Sequence, residues 1–265
     1  MTDKEYRANP AISRSELWEI RKSPELFKYK KDYPDEPTDA LLFGQAFHKC
    51  VLEPETFNDE FAVEPDCDRR TKEGKAVYEL FLQEAEGKTI VPRAMMVQIA
   101  QMSSAVLNNP TAVKLLNGDH EKEFFWTDPD TKEKCKCRVD VLKKTKDDLV
   151  IVDLKTCTDA STETFSREAL KYGYHFQVAM YSEGVFKKLK KHPKFVFIAV
   201  EKKPPYAVNI MLADEAFTNY GYETYRELLN LYHNCKKSGN WYGYNGEKNT
   251  INTLTVPAWI SNKDA

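Results

Sequence analysis

Apolar positions along the chain follow two periods in turn. Up to about residue 117 they recur three and four residues apart, the spacing of one helical face. Ser13-Arg14-Ser15-Glu16 has the form of a capping box, and Ser23-Pro24-Glu25 opens a second helix with proline at its first position. The same spacing predicts helices at Asp39 to Leu52, Lys72 to Glu86, Pro92 to Asn108 and Ala112 to Leu116. Alternation then takes over. Three strands are expected, one around Glu121, one from Cys135 to Leu142 and one from Leu149 to Lys155, joined by turns at Asp128-Pro129-Asp130-Thr131 and at residues 143–148. A helix from Thr162 to Lys171 precedes another that carries Gln177 and Tyr181. Strands at Phe195 to Glu201 and Ala207 to Met211 flank Lys202-Lys203-Pro204-Pro205, and Asp214 to Lys237 reads as a long final helix. This order predicts an α/β (α+β) fold, a central mixed β-sheet flanked by helices. With no repeat and no flexible linker, one domain is expected over residues 1–265: a mainly helical part over 1–117, a sheet core with helices over 118–212, and a C-terminal helix and tail over 213–265.

One strand breaks the expected pattern. Leu149-Val150-Ile151-Val152-Asp153-Leu154-Lys155 is apolar on both faces, the mark of an interior strand, yet it carries an acid and a lysine of the same parity on one face. A turn centred between Lys146 and Asp147 sets Asp140 opposite Asp153, and a turn centred between Asp130 and Thr131 sets Glu121 opposite Asp140. Adjacent strands lie about 4.8 Å apart, so the three carboxylates form a row able to hold divalent cations through oxygen. Alone, an Asp-x-Lys triplet reads as a structural ion pair at a strand end. Within a buried strand and beside two further acids, it reads as metal-assisted phosphodiester hydrolysis, with Lys155 orienting water or stabilising the reacting phosphoryl oxygens.

Composition limits this reading without setting it. Across 265 residues, 42% hydrophobic and 30% charged, a sizeable core is available. The net charge of −2 is low for a protein that grips a phosphodiester backbone, so positive charge must be segregated. Lys28 to Lys31, Arg69-Arg70-Thr71-Lys72 and Lys187 to Lys191 are clusters of that sign, each more typical of a solvated helix end or loop. Six cysteines and no signal peptide fit a reducing cytoplasm, and no apolar run reaches the roughly 20 residues that span a membrane. Cys135 and Cys137 share a strand face but, with the other four cysteines scattered, give no fourfold iron–sulfur ligand pattern, and small buried thiols are the expected use. The aromatic stretch from Trp241 through Trp259 suits packing first, with base stacking or a subunit contact as other uses.

The Asp140, Asp153-Leu154-Lys155 arrangement resembles the PD-(D/E)xK nuclease core, a restriction-endonuclease-like fold, with Asp153 in place of the commoner glutamate. Leu42 to Pro54, Trp126 to Pro129, Cys135 to Asp140 and Tyr174 to Ser182 resemble, in order, the RecE-type exonucleases, a likeness from Tyr6 to about Trp259. The resemblance implies metal ligation by His48, Asp140, Asp153, the Leu154 carbonyl and Glu121, with two Mg²⁺ ions for which Mn²⁺ can substitute. It implies catalytic roles for Lys155, Glu121, Asp140 and Asp153, and a supporting Gln177 and Tyr181 pair on one helical face. Outside the resemblance His48 would read as a core histidine, and Gln177 with Tyr181 as an ordinary helix face. The activity implied is 5′-to-3′ degradation of one strand at double-stranded DNA ends, leaving a 3′ overhang for recombination. A toroidal trimer or tetramer, a RecT-like single-strand annealing partner, a phage or prophage source and a bacterial cytoplasm are implied with it. Arg14, Arg21 and Arg138 are candidates for the DNA 5′-phosphate. The alternatives are a Cas4-like or restriction-type nuclease, and an inactive DNA-end-binding protein.

Overall fold

The structure, a computed structural model, describes residues 3–256. Its elements are, in chain order, α1 (Asp3–Ala8), α2 (Arg14–Glu19), α3 (Pro24–Asp32), α4 (Asp39–Leu52), a 3₁₀ turn (Pro54–Thr56), α5 (Phe57–Glu60), β1 (Phe61–Val63), α6 (Lys72–Glu84), β2 (Thr89–Val91), α7 (Arg93–Leu107) and α8 (Pro110–Leu116). There follow β3 (Asp119–Thr127), β4 (Lys134–Lys144), β5 (Leu149–Cys157), α9 (Thr162–Lys171), α10 (Tyr174–Leu189), β6 (Lys194–Glu201), β7 (Val208–Leu212) and α11 (Glu215–Ser238). The chain divides into two compact units, one of the residues up to Arg14 together with Glu36–Tyr225, the other of Ser15–Asp35 together with the residues from Arg226 on.

The first unit is built on a five-stranded sheet in the order β3-β4-β5-β6-β7. Only β5 and β6 run parallel, joined through α9 and α10, and the other neighbours are antiparallel. β5 is thus the middle strand, which is why its apolar residues occupy both faces. Val150, Val152 and Leu154 join Val196, Ile198 and Val200 in a core with Phe43 and Phe47 of α4 and Ile99, Met102 and Val106 of α7. On the opposite face, Phe195 and Phe197 meet rings from α9 and α10, among them Phe165, Tyr174 and Tyr181. The register matches the expected turns. Trp126 faces Cys135 and His120 faces Val141 in one ladder, and Val141 faces Val152 in the next. A separate parallel pair, β1 with β2, was not foreseen.

Caps explain where the helices begin. Thr38 accepts from the Leu41 N–H at the start of α4, and Ser161 accepts from the Thr164 N–H at the start of α9. Lys136 is an unexpected core residue. Its ammonium is buried, donating to the carbonyls of Tyr6 and Asn9 at 2.8 and 2.7 Å, and so it helps to satisfy the carbonyls at the C-terminal end of α1.

In the second unit Ser23 accepts from the Leu26 N–H at 3.0 Å, starting α3 where the sequence places it. Phe27 stacks on Trp241 at 5.5 Å and meets Tyr232 edge-on at 5.7 Å, so the first aromatic of the tail packs. The reading of the tail runs on to Trp259, and residues after 256 lie outside the described residues.

Gly221 on α11 is where the backbone of α10 comes closest. A methyl there would sit 1.9 Å from the His175 carbonyl oxygen, a distance only backbone movement relieves. Gly221→Ala is expected to lower stability by about 3 kcal/mol, the upper end of ordinary overpacking, read as a fall in the denaturant midpoint.

Candidate active site

The pairing of β4 with β5 runs from Lys144 opposite Leu149 to Val141 opposite Val152 and stops there. The next position in register holds Asp140 and Asp153. In place of a ladder bond, the Leu154 N–H donates to Asp140 Oδ2 at 2.8 Å, so a carboxylate takes the donor that a strand carbonyl would have taken. Beyond that point β4 keeps β3 on its other edge and, on the edge β5 has left, picks up the N-terminal segment: Ile12 N–H donates to the Lys134 carbonyl at 2.8 Å and Lys136 N–H to the Ile12 carbonyl at 2.9 Å. The gap between the two strands is where the chemistry-bearing side chains gather.

Glu121 comes from β3. It drops out of the ladder between His120 and Lys122, opposite Asp140, and takes φ +47°, a left-handed conformation that only a few per cent of non-glycine residues adopt. Arg138 Nε lies 2.9 Å from its Oε2. His48, from α4, sets Nδ1 3.4 Å from Asp140 Oδ2. One ligand atom from each of His48, Glu121 and Asp140 falls within 4.8 Å of the other two. Two carboxylates with an imidazole suit magnesium or manganese. Asp153 lies outside this triplet: its Oδ1 accepts from Gln177 Nε2, while buried Oδ2 meets Lys155 Nζ at 2.6 Å and no other donor among the described residues. A buried carboxylate oxygen with lone pairs to spare is a donor set that fits a divalent cation.

Charge supports that fit. Burial, followed by repulsion from Asp140, pushes the Glu121 carboxyl up to about 8. Burial raises Asp153 as well, against the pull of Lys155. Burial alone would lower the Lys155 ammonium, but Asp153 and Asp140 outweigh it and the net shift is upward, so Lys155 carries its charge at neutral pH. A divalent ion beside Glu121 and Asp140 would favour the ionised carboxylates that burial and mutual repulsion disfavour.

Around this core stand further residues. Lys155 Nζ lies 4.9 Å over the Tyr174 ring, a cation–π contact the sequence reading missed although Tyr174 lies within one of the blocks that carry the family likeness. Tyr181 sits one turn after Gln177 on α10, its phenol pushed well above the usual range by burial and by nearby thiol and carboxyl groups. Arg14 donates to the Tyr172 carbonyl and carries its charge close to Tyr181 and Asp153, whereas Arg138 is beside Glu121. Arg21 belongs to the second unit, stacked over Trp18 at 4.3 Å. Cys135 and Cys137 are buried, and burial raises both thiols, Cys135 to about 12. Among the described residues no cysteine joins a group of three or more metal-ligating side chains. Each of the three basic clusters has a cation answered by a local acid: Lys28 by Asp32, Arg70 by Asp68 and Lys187 by Glu183. No helix among the described residues is long and apolar enough to cross a membrane.

Comparison with known proteins gives a consistent result. The family model described as a PDDEXK-like domain of unknown function (DUF3799) matches residues 13–253. The crystal structure of a protein provisionally named an exonuclease, from Eubacterium rectale, aligns over 100% of this chain and 99% of its own with a TM-score of 0.63 at 12% identity, a likeness of fold. A second solved structure, SSO0001, reaches a TM-score of only 0.32 at 17% identity, over 72% of this chain and 86% of its own, and bears no weight. No curated protein matches in sequence.

Because Glu121 holds its proton more tightly in the fold than its ordinary value allows, the metal-free protein loses stability as pH rises from about 4.5 to about 8. A bound cation displaces that proton, so stabilisation by Mn²⁺ is expected to grow across the same window. Thermal denaturation with and without Mn²⁺, at about pH 6 and about pH 8.5, measures it. His48→Ala is expected to shrink the shift at both, and Glu121→Gln to remove its pH dependence.

Proposed function

Since the chain belongs to the PDDEXK-like family over residues 13–253, a fold that supports a nuclease, we propose that it degrades linear double-stranded DNA from its 5′ ends, leaving a 3′ single strand for recombination by annealing. The observation that carries a nuclease is the grouping of His48, Glu121 and Asp140 beside a charged Lys155 at the end of a strand ladder. The exonuclease name of the Eubacterium rectale neighbour and the RecE-like sequence blocks favour an exonuclease acting 5′ to 3′.

A divalent cation held by His48, Glu121 and Asp140 would acidify water and neutralise charge on the scissile phosphodiester. The Asp153 carboxylate and the Leu154 carbonyl are further ligands in this proposal, with Mg²⁺ as the working ion, a second ion beside it, and Mn²⁺ as a substitute. Lys155, kept protonated, acts as a positioned ammonium that orients the attacking water or steadies the phosphoryl oxygens, and its raised pKa makes it a poor general base. Gln177 holds the Asp153 carboxylate in place and the Tyr174 ring holds the ammonium from its other side. Arg14 and Arg138 are the cations for a terminal 5′-phosphate. A ring of three or four copies, a RecT-like annealing partner, a phage or prophage source and action in a bacterial cytoplasm complete the proposal.

Linear duplexes labelled at each strand end, with and without a 5′-phosphate, test it in Mg²⁺. Loss of 5′ label with survival of 3′ label is expected, and Lys155→Ala should slow the loss by roughly 10²–10³-fold. Selective loss from 3′ ends would contradict the polarity, and intact linear DNA would sink the nuclease reading altogether. Native mass measurement decides between a trimer and a tetramer.

A further inference from the structure

Gly44 stands in the middle of α4, where glycine weakens a helix relative to alanine. Two ordinary reasons keep glycine at such a place, and neither applies. Its backbone is helical and not left-handed, so conformation does not require it. A Cβ built on it meets no described heavy atom within 4 Å, so neighbouring packing does not require it. Gly74, Gly118, Gly184 and Gly221 each face an atom within 3 Å of such a Cβ, and Gly87, Gly239 and Gly246 have positive φ, so the fold itself accounts for them. What Gly44 leaves is open space, and the place of that space is specific. Four residues before His48, it lies on the same face of α4, one turn from the imidazole that stands 3.4 Å from Asp140. Leu41, three residues earlier on that stripe, is 48% exposed although apolar.

We infer that Gly44 is a clearance in the substrate path: the sugar–phosphate backbone of the strand being cut passes over this bare turn of α4 on its way to the centre at His48. The inference rests on the nuclease reading and adds a residue that governs access of a polymeric substrate. Because no contact of the fold is lost, larger side chains at 44 block the path while leaving the helix intact or stronger.

The test is a size series, Gly44→Ala, Gly44→Val and Gly44→Leu, assayed for duplex degradation in Mg²⁺, for duplex binding in Ca²⁺, and for thermal stability with and without Mn²⁺. Gly44→Ala is expected to raise Tm by roughly 2 °C. KM for duplex is expected to climb with side-chain size, and duplex binding to weaken by roughly tenfold or more at Gly44→Leu. The Mn²⁺-induced rise in Tm should persist in all three, which separates a blocked path from a damaged metal centre. Wild-type KM and binding in Gly44→Leu would overturn the inference and leave the nuclease reading standing. A wild-type protein that cuts no DNA would overturn both.

Discussion

Everything at this centre follows from how the β4–β5 ladder ends. Up to Val141 and Val152 the strands satisfy one another, and one residue further the register places two carboxylates face to face, where backbone pairing gives way. Asp140 takes up the Leu154 donor, Asp153 turns to Lys155 and Gln177, and the space left between the strands admits groups from outside the sheet. Two like charges at one point of a buried sheet would be a liability in a protein that did nothing with them. Here Lys155 lies against Asp153, and His48, Glu121 and Asp140 stand close enough together to hold a cation.

The two helical layers meet at that opening. α4 packs on the face lined by Val152 and Leu154 and contributes His48, while α10 packs on the face lined by Phe195 and Phe197 and contributes Gln177. Only at the end of a ladder can residues from opposite faces of a sheet reach one carboxylate pair. The N-terminal segment closes the other side, bonded to β4 at Ile12 where β5 no longer pairs, which brings Arg14 near Asp153. Each basic cluster elsewhere has a cation paired with a neighbouring acid, whereas at this centre Arg14, Arg138 and Lys155 are brought together from separate parts of the chain.

Long periodic segments were legible in the sequence. α4 and α9 begin and end where the spacing places them, and the turn positions gave the register that aligns Asp140 with Glu121 and Asp153. Short elements were not. β1 and β2 are three residues each, too few for a period to register, and they are held by pairing across a long separation. Nor could a pattern show that Lys136 is buried against carbonyls of α1, because an ammonium on a strand ordinarily marks the wet face. Tyr174 was hidden for a related reason: its ring matters through a lysine that precedes it by nineteen positions and meets it only in the fold.

Glu121 records a conflict between backbone and side chain. A left-handed φ suits glycine or asparagine, and a glutamate there bears a cost on the order of 1 kcal/mol. Glycine would relax the chain and empty the position of its carboxylate. A carboxylate kept at that cost, within 4.8 Å of ligand atoms of His48 and Asp140, marks a point where the demands of folding and those of a metal-binding group would pull in opposite directions.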